Sequence, residues 1–297
     1  MEASANIIQM KTDHIEDNHA RIGDTLIANK KLKQPDVDKI LAVQQEKNIL
    51  FGEAAKQLGL ISESDLEQVL SQQFGYSYIH EANESEKGRQ LSKALVAAHS
   101  PFSEEVESLR NLRSQLLIRW FDLGNKTLAI TSANKDDGAS LLAANLAIVF
   151  SQLNKNTLLI DANLRHGSQH NLFGVETKLG LSNILANRQG RYQLSRQESL
   201  PNLTILTAGT EVPNPQELLN KIGFAELLTD LEKIYDIILI DTSPLNLGSD
   251  VLTVVSKEKA AIIIAKKDWT LASEIQDLNK QLGLTGANIL GSVIQEL

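Results

Sequence analysis

Residues Thr127–Ser140 read TLAITSANKDDGAS, and Leu141–Leu153 continue as LLAANLAIVFSQL. An apolar run of strand length ends at Ser132, a polar loop holding one glycine follows, and a helical apolar pattern takes over at Ser140. A loop in that place can wrap phosphate groups, because the first N–H groups of a helix lack intrahelical partners and lie at the positive end of its dipole. The alternation continues downstream with TLLID (157–161), LTILTAG (203–209), the helical PQELLNKI (215–222) and FAELLTDLEKIY (224–235), DIILID (236–241), AAIIIAKK (260–267), the helical LASEIQDLNKQLG (271–283) and ANILGSVI (287–294). Short apolar strands with little polar alternation, separated by amphipathic helices, predict an α/β fold with a doubly wound, mostly parallel sheet covered on both faces.

Ligands of such sheets bind beyond the carboxyl ends of the strands. Asp161 ends TLLID and Asp241 ends IILID. Together with Ser140 at the helix start they are the expected magnesium ligands, directly or through water, and Asp161 and Asp241 are candidate catalytic residues. Lys135, Asp136, Asp137, Gly138, Ala139, Ser140 and Leu141 are the candidate nucleotide-binding residues. An aspartate at a strand end is also an ordinary helix cap; three such features in order on the right elements make the stronger case. His166 and His170 have helical spacing, but no third ligand accompanies them, so they read as loop polar residues.

The chain has 297 residues, enough for one small and one medium domain. Hydrophobic residues make up 42% and charged residues 22%, an ordinary globular composition. A net charge of -8 argues against broad nucleic-acid binding. The absence of cysteine excludes disulfides and thiolate metal sites and fits a reducing compartment. No apolar run reaches the roughly 18 residues that span a bilayer, and the N-terminus has no signal-peptide pattern. The expected location is therefore cytoplasmic, with any recruitment to the inner face of the cytoplasmic membrane supplied by a partner.

Ahead of the α/β region lies a repeat. Arg21–Gln44, RIGDTLIANKKLKQPDVDKILAVQ, aligns with Leu50–Gln73, LFGEAAKQLGLISESDLEQVLSQQ, as two 24-residue units separated by the five residues QEKNI. Gly23 pairs with Gly52, Leu32 with Ile61, Asp36 with Asp65, Val37 with Leu66, Leu41 with Leu70 and Gln44 with Gln73. Each unit predicts a helix, a break and a second helix, and Ser62 stands three residues before Asp65 as in a capping box. This double unit resembles the N-terminal domain of type II secretion and type IV pilus assembly ATPases. The resemblance implies a cyclic di-GMP site at Arg21, Gly23, Gln44, Gly52 and Gln73, although Leu50 stands where the second arginine belongs. A helical docking domain that kept the scaffold without the ligand is the alternative. The expected organisation is a tail over 1–19, a small helical domain over 20–76, a polar linker over 77–100 and the α/β domain over 101–297.

From Pro101 onward, PFSEEVESLRNLRSQL, TSANKDDGAS, NLAIVFSQLNKNTLLIDANLR, PNPQELL and YDIILIDTSP succeed one another as in the P-loop bacterial tyrosine kinases. The chain is most similar to their stand-alone subgroup encoded with exopolysaccharide chain-length determinants. That resemblance implies ATP or ADP with magnesium, a membrane chain-length determinant as partner, and a homo-oligomeric ring built through Glu107, Arg110 and Arg113. It also exposes departures. Ala139 stands where the phosphate-binding lysine belongs, Asn163 replaces the second carboxylate of the DxDxR motif, whose Asp161 and Arg165 remain and are implied as catalytic residues, and the chain ends without a tyrosine cluster. Lys135 is a candidate substitute for the missing charge. The expected function is a kinase-like regulator of exopolysaccharide chain length and export, binding ATP with weakened or lost tyrosine kinase activity. The alternative is a nonenzymatic adaptor responsive to cyclic di-GMP, its P-loop domain an assembly platform. A partitioning ATPase fits less well, since those proteins need the same lysine.

Overall fold

The computed structural model describes residues 22–63, 65–66, 69–70, 91–175, 179–186, 194–197 and 199–296. The chain divides into two compact units, Met1–Tyr76 and Ser77–Leu297.

In the small unit, helices α1 (Ile22–Ala28), α2 (Gln34–Lys47) and α3 (Phe51–Gln57) precede further helical residues at Glu63, Asp65, Leu66, Val69 and Leu70. The sequence repeat is a repeat of contacts. Leu26, Leu32 and Ile40 of the first half and Ala55, Ile61 and Val69 of the second fill the same small core. Asn29 N donates to Thr25 O, as Leu58 N does to Ala54 O, and Lys30 and Gly59 both turn the chain with positive φ. The Asp36 carboxylate accepts from Lys33 N at 3.2 Å, and the Asp65 carboxylate accepts from Ser62 N at 3.0 Å. Both helices are thus capped from their third residue. Lys31 then joins the halves through a 2.6 Å ion pair with Asp65, which holds that carboxyl down at about 2.

The large unit is a seven-stranded sheet in the order β3-β4-β2-β5-β1-β6-β7. Its strands are β1 (Thr127–Ser132), β2 (Thr157–Asp161), β3 (Ser195–Gln197), β4 (Leu200–Leu206), β5 (Ile237–Asp241), β6 (Ala260–Lys266) and β7 (Asn288–Gln295). All neighbours are parallel except β3 and β4. Every residue of β1, β2 and β5 is buried, which is why these segments show no polar alternation. Helices α4 (Glu104–Arg119) and α5 (Ala139–Ser151) cover one face through Val106, Leu116, Leu146 and Phe150. Helices α6 (Ile222–Leu231), α7 (Asp250–Glu258) and α8 (Ala272–Gly283) complete the layers through Phe224, Val254, Val251 and Leu278. The chain leaves β1 toward β2 on one side and reaches β6 on the other. The carboxyl edge near β1 and β5 is therefore the switch point where a ligand cleft is expected.

The α/β unit begins earlier than Pro101. Leu95, Ala97 and Ala98 are buried in its main core, Ser92 N donates to Leu172 O at 2.8 Å, and Ala97 N donates to the Asn145 side chain at 3.0 Å. The predicted linker over 77–100 is corrected at its end: LSKALVAAH (91–99) carries enough apolar side chains to pack against α5. The polar segment 80–90 lies outside the described residues.

Candidate functional site

At the carboxyl edge of the sheet a cavity of about 600 Å³ is lined by Lys135, Asp136, Gly138, Ala139, Ser140 and Leu141 from the loop between β1 and α5. Gly138 has φ 89°, a left-handed conformation that glycine adopts without strain, and from there α5 begins at Ala139. The free N–H groups of the first turn of α5 therefore belong to this edge. Asn163 and His166 from the loop after β2, Thr242 and Pro244 from the loop after β5, and Lys266 at the end of β6 also line it.

Asp161 and Asp241 are register partners on adjacent parallel strands and are fully buried beneath this cavity. The Asp241 carboxylate accepts from the Ser140 hydroxyl at 3.0 Å and from Gln169 Nε2 at 2.8 Å. The Asp161 carboxylate accepts from Asn163 N at 3.2 Å and Gln169 N at 3.1 Å. Burial, then the charge of Asp241, holds the Asp161 carboxyl well above the usual carboxylate range, and burial raises Asp241 as well. A cation beside the pair would relieve that penalty. The donor set fits magnesium: a serine hydroxyl and two carboxylates are hard oxygens. The buried Gln169 Oε1, which has no protein partner, is a further oxygen in the same cluster.

The loop keeps its shape through residues that do not face the cavity. Asp137 is completely buried, its carboxylate accepting from Asn134 N at 2.8 Å and from the Thr270 hydroxyl at 2.6 Å. It acts as a strut inside the loop. Arg165 is drawn to Asp250, with Nε at 2.5 Å and a second bond at 3.2 Å. A bidentate pair with a buried carboxylate fixes the guanidinium, so Arg165 orders the loops after β2 and β5. Asn163 caps its own turn, its side-chain oxygen accepting from His166 N at 3.1 Å.

The motif on α4 is also engaged internally. Arg110 bonds Glu107 at 3.3 Å and donates to Pro101 O at 2.6 Å, while Arg113 donates to Val149 O, near the carboxyl end of α5, at 2.6 Å. Glu107 is the member turned to solvent, with its side chain 63% exposed. In the small unit, Gly23 and Gly52 are buried; a Cβ on Gly23 would lie 3.3 Å from the Phe51 ring, and one on Gly52 2.7 Å from Leu66. Gln44 is on α2, and Arg21 and Gln73 lie outside the described residues.

Gln169, Thr270, Asp250 and Lys266 were not among the residues singled out from sequence. Gln169 and Asp250 carry no motif. Lys266 had a signal, since it closes the apolar run of β6 and so falls on the carboxyl edge.

A parallel sheet with a glycine loop leading into a helix, a serine at that helix start and aspartates ending two neighbouring strands defines a P-loop α/β protein. Comparison with known proteins narrows the class. The chain is 30% identical to CapB of Staphylococcus aureus over 211 residues, 71% of this chain and 92% of that one. It is 31% identical to the tyrosine-protein kinase etk of Escherichia coli K12 over 67% of this chain, though this spans only 28% of etk. The solved kinase domain of Escherichia coli tyrosine kinase ETK superposes with a TM-score of 0.68 at 29% identity, covering 72% of this chain and 84% of that one. No family model matches. The chain belongs to the bacterial tyrosine-protein kinase family. These relatives do not bear out the resemblance of the small unit to secretion ATPases.

Proposed function

We propose that this protein is an ATP-binding, kinase-like regulator of exopolysaccharide chain length and export whose transfer of phosphate to tyrosine is weakened or lost. The observation that carries the reading is the split between frame and charge. Gly138, Ser140, Asp161 and Asp241 converge at the start of α5, while position 139 offers only a methyl group, itself buried. Backbone N–H groups bind phosphate whatever side chains they carry, so binding outlasts catalysis. Loss of one charged donor aimed at developing phosphate charge costs about a hundredfold to a thousandfold in rate. A bound magnesium ion would offset phosphate charge; Ser140 and Asp241 would hold it, with Asp161 behind them. Among the described residues no helix is long and apolar enough to cross a membrane. Action at the membrane is therefore assigned to a partner, a chain-length determinant. Homo-oligomerisation through α4 belongs to the same proposal, and exchanging Glu107 tests it with least damage to internal bonds.

Calorimetric titration with magnesium ATP tests the reading. The parent should bind, and Ala139→Lys should bind about ten- to a hundredfold more tightly, as a charge-assisted phosphate contact of about 1.5–3 kcal/mol implies. Silence from both would reject nucleotide binding and favour the nonenzymatic adaptor.

A further inference from the structure

We infer that Lys266, at the end of β6, supplies the positive charge that position 139 lacks, by contacting the polyphosphate of the bound nucleotide. The inference rests on the nucleotide-binding reading above. Three cationic or titratable nitrogen side chains line the cavity, Lys135, His166 and Lys266, and the fourth neighbour, Arg165, is committed to Asp250. Their settings differ. Lys135 is exposed on the loop, where a flexible side chain loses most entropy on being fixed. Lys266 is half-buried and rooted in a strand. In the register of β1 with β6, Ser132 lies opposite Ile264, so Lys266 stands two residues further along, beside the beginning of the phosphate loop.

That root is tied to the loop. Lys266 N donates to Thr270 Oγ1 at 2.8 Å, and the Thr270 hydroxyl donates to the buried carboxylate of Asp137 at 2.6 Å. The turn that carries Lys266 and the loop that would cradle phosphate therefore share one hydrogen-bonded strut. The ammonium lies 5.9 Å from the Trp269 ring centroid, within the range of a cation–π contact, and no carboxylate among the described residues pairs with it. A lysine beside the free N–H groups of a helix start, in a cavity without an engaged counter-ion, is matched by a polyanion. Sequence reasoning looks for the substitute charge inside the loop; the fold brings one from a strand far along the chain.

The test is calorimetry on the full chain with magnesium ATP and, separately, with adenosine, for the parent, Lys266→Ala, Lys266→Gln, Lys266→Arg and Lys135→Ala. Thermal melting verifies that each variant is folded, and Lys266→Gln stands in for the alanine variant should that one fail to fold. Lys266→Ala is expected to weaken ATP by about ten- to a hundredfold while leaving adenosine unchanged, with most of the ATP affinity kept in Lys266→Arg. Lys135→Ala, which removes the other lysine of the cavity, should weaken ATP less than Lys266→Ala does, and the reverse order would overturn the assignment of the charge to Lys266. Unchanged ATP affinity in Lys266→Ala and Lys266→Gln would overturn the assignment while leaving nucleotide binding intact. A parent that binds no ATP would overturn both.

Discussion

The two ends of the sheet bury acids in the same way and gather opposite ends of the helices. At the carboxyl edge, Asp161 and Asp241 lie under a cavity of about 600 Å³; at the amino edge, Glu258 lies beside a cleft of about 830 Å³. Both ends raise carboxyl pKa values by burial, and Glu258 is pushed up to about 7. The larger cleft with its buried acid is nevertheless the poorer anion site. Helices that follow parallel strands run back along the sheet, so their N–H ends gather at the carboxyl edge and their carbonyl ends at the amino edge. Lys126 serves such carbonyls, donating to Glu232 O at 2.5 Å and Tyr235 O at 3.0 Å, just past α6. A perturbed acid in a cleft marks a site only where backbone donors converge with it.

The sharpest contrast should come from glycine. A Cβ on Gly180, in the crowded carboxyl edge, would lie 2.2 Å from Thr207 O and 2.4 Å from Gly209 N, so Gly180→Ala requires backbone to move. It is expected to destabilise by about 3 kcal/mol or more in denaturant unfolding. Gly124, at the amino edge, has φ 94° and open space around it, so Gly124→Ala should cost only about 1 kcal/mol, from backbone conformation alone. Equal costs would erase the difference in packing between the two edges.

The pH dependence separates the ends next. For Glu258 the folded pKa lies above the ordinary 4.5, so its contribution is fully present below about 4.5 and is lost as pH rises through about 7. Burial is the main cause; Glu232 adds to the shift and Lys257 opposes it. Glu258→Gln should therefore flatten the fall in melting temperature between pH 5 and 8.5, by the equivalent of on the order of 2–3 kcal/mol at most. The Asp161 and Asp241 pair has the same sign, and magnesium nucleotide should remove its share without touching that of Glu258. A Glu258→Gln profile parallel to the parent's would contradict the assignment at the amino edge.

The smallest effect is expected from Asn163→Asp. The exchanged side chain still presents an oxygen to His166 N, so stability at pH 7 should change by less than about 1 kcal/mol. The added carboxylate would instead show itself as stronger magnesium dependence of nucleotide binding. A large loss of stability would mean that a third acid is intolerable beside the buried pair.

The frame of the α/β unit was legible because fully buried parallel strands leave uninterrupted apolar runs, and because Asp161 and Asp241 end two of them while Gly138 opens the helix that follows a third. Residues whose work is to hold other residues were not legible. Asp137 belongs by position to the loop between β1 and α5, yet its partner is Thr270, distant in sequence; Arg165 reads from sequence as the last residue of a DxDxR motif, yet its partner is Asp250. Such pairings depend on which loops the sheet order brings together. In the small unit the repeat was legible, but the same glycines suit either a ligand or close helix packing, and the contacts with Phe51 and Leu66 account for their burial.

The strand order also bears on how the protein comes into being. β1, which launches the phosphate loop, has no neighbour close to it in the chain: its partners are Ile237–Asp241 and Ala260–Lys266. β2, in contrast, can pair with β4 while synthesis is still under way. On the ribosome, a nascent chain would therefore assemble the β2–β4 side first and leave the loop without its sheet until β5 and β6 have emerged. A chain that stops short of β6 would have made every residue of that loop and still lack the loop's shape.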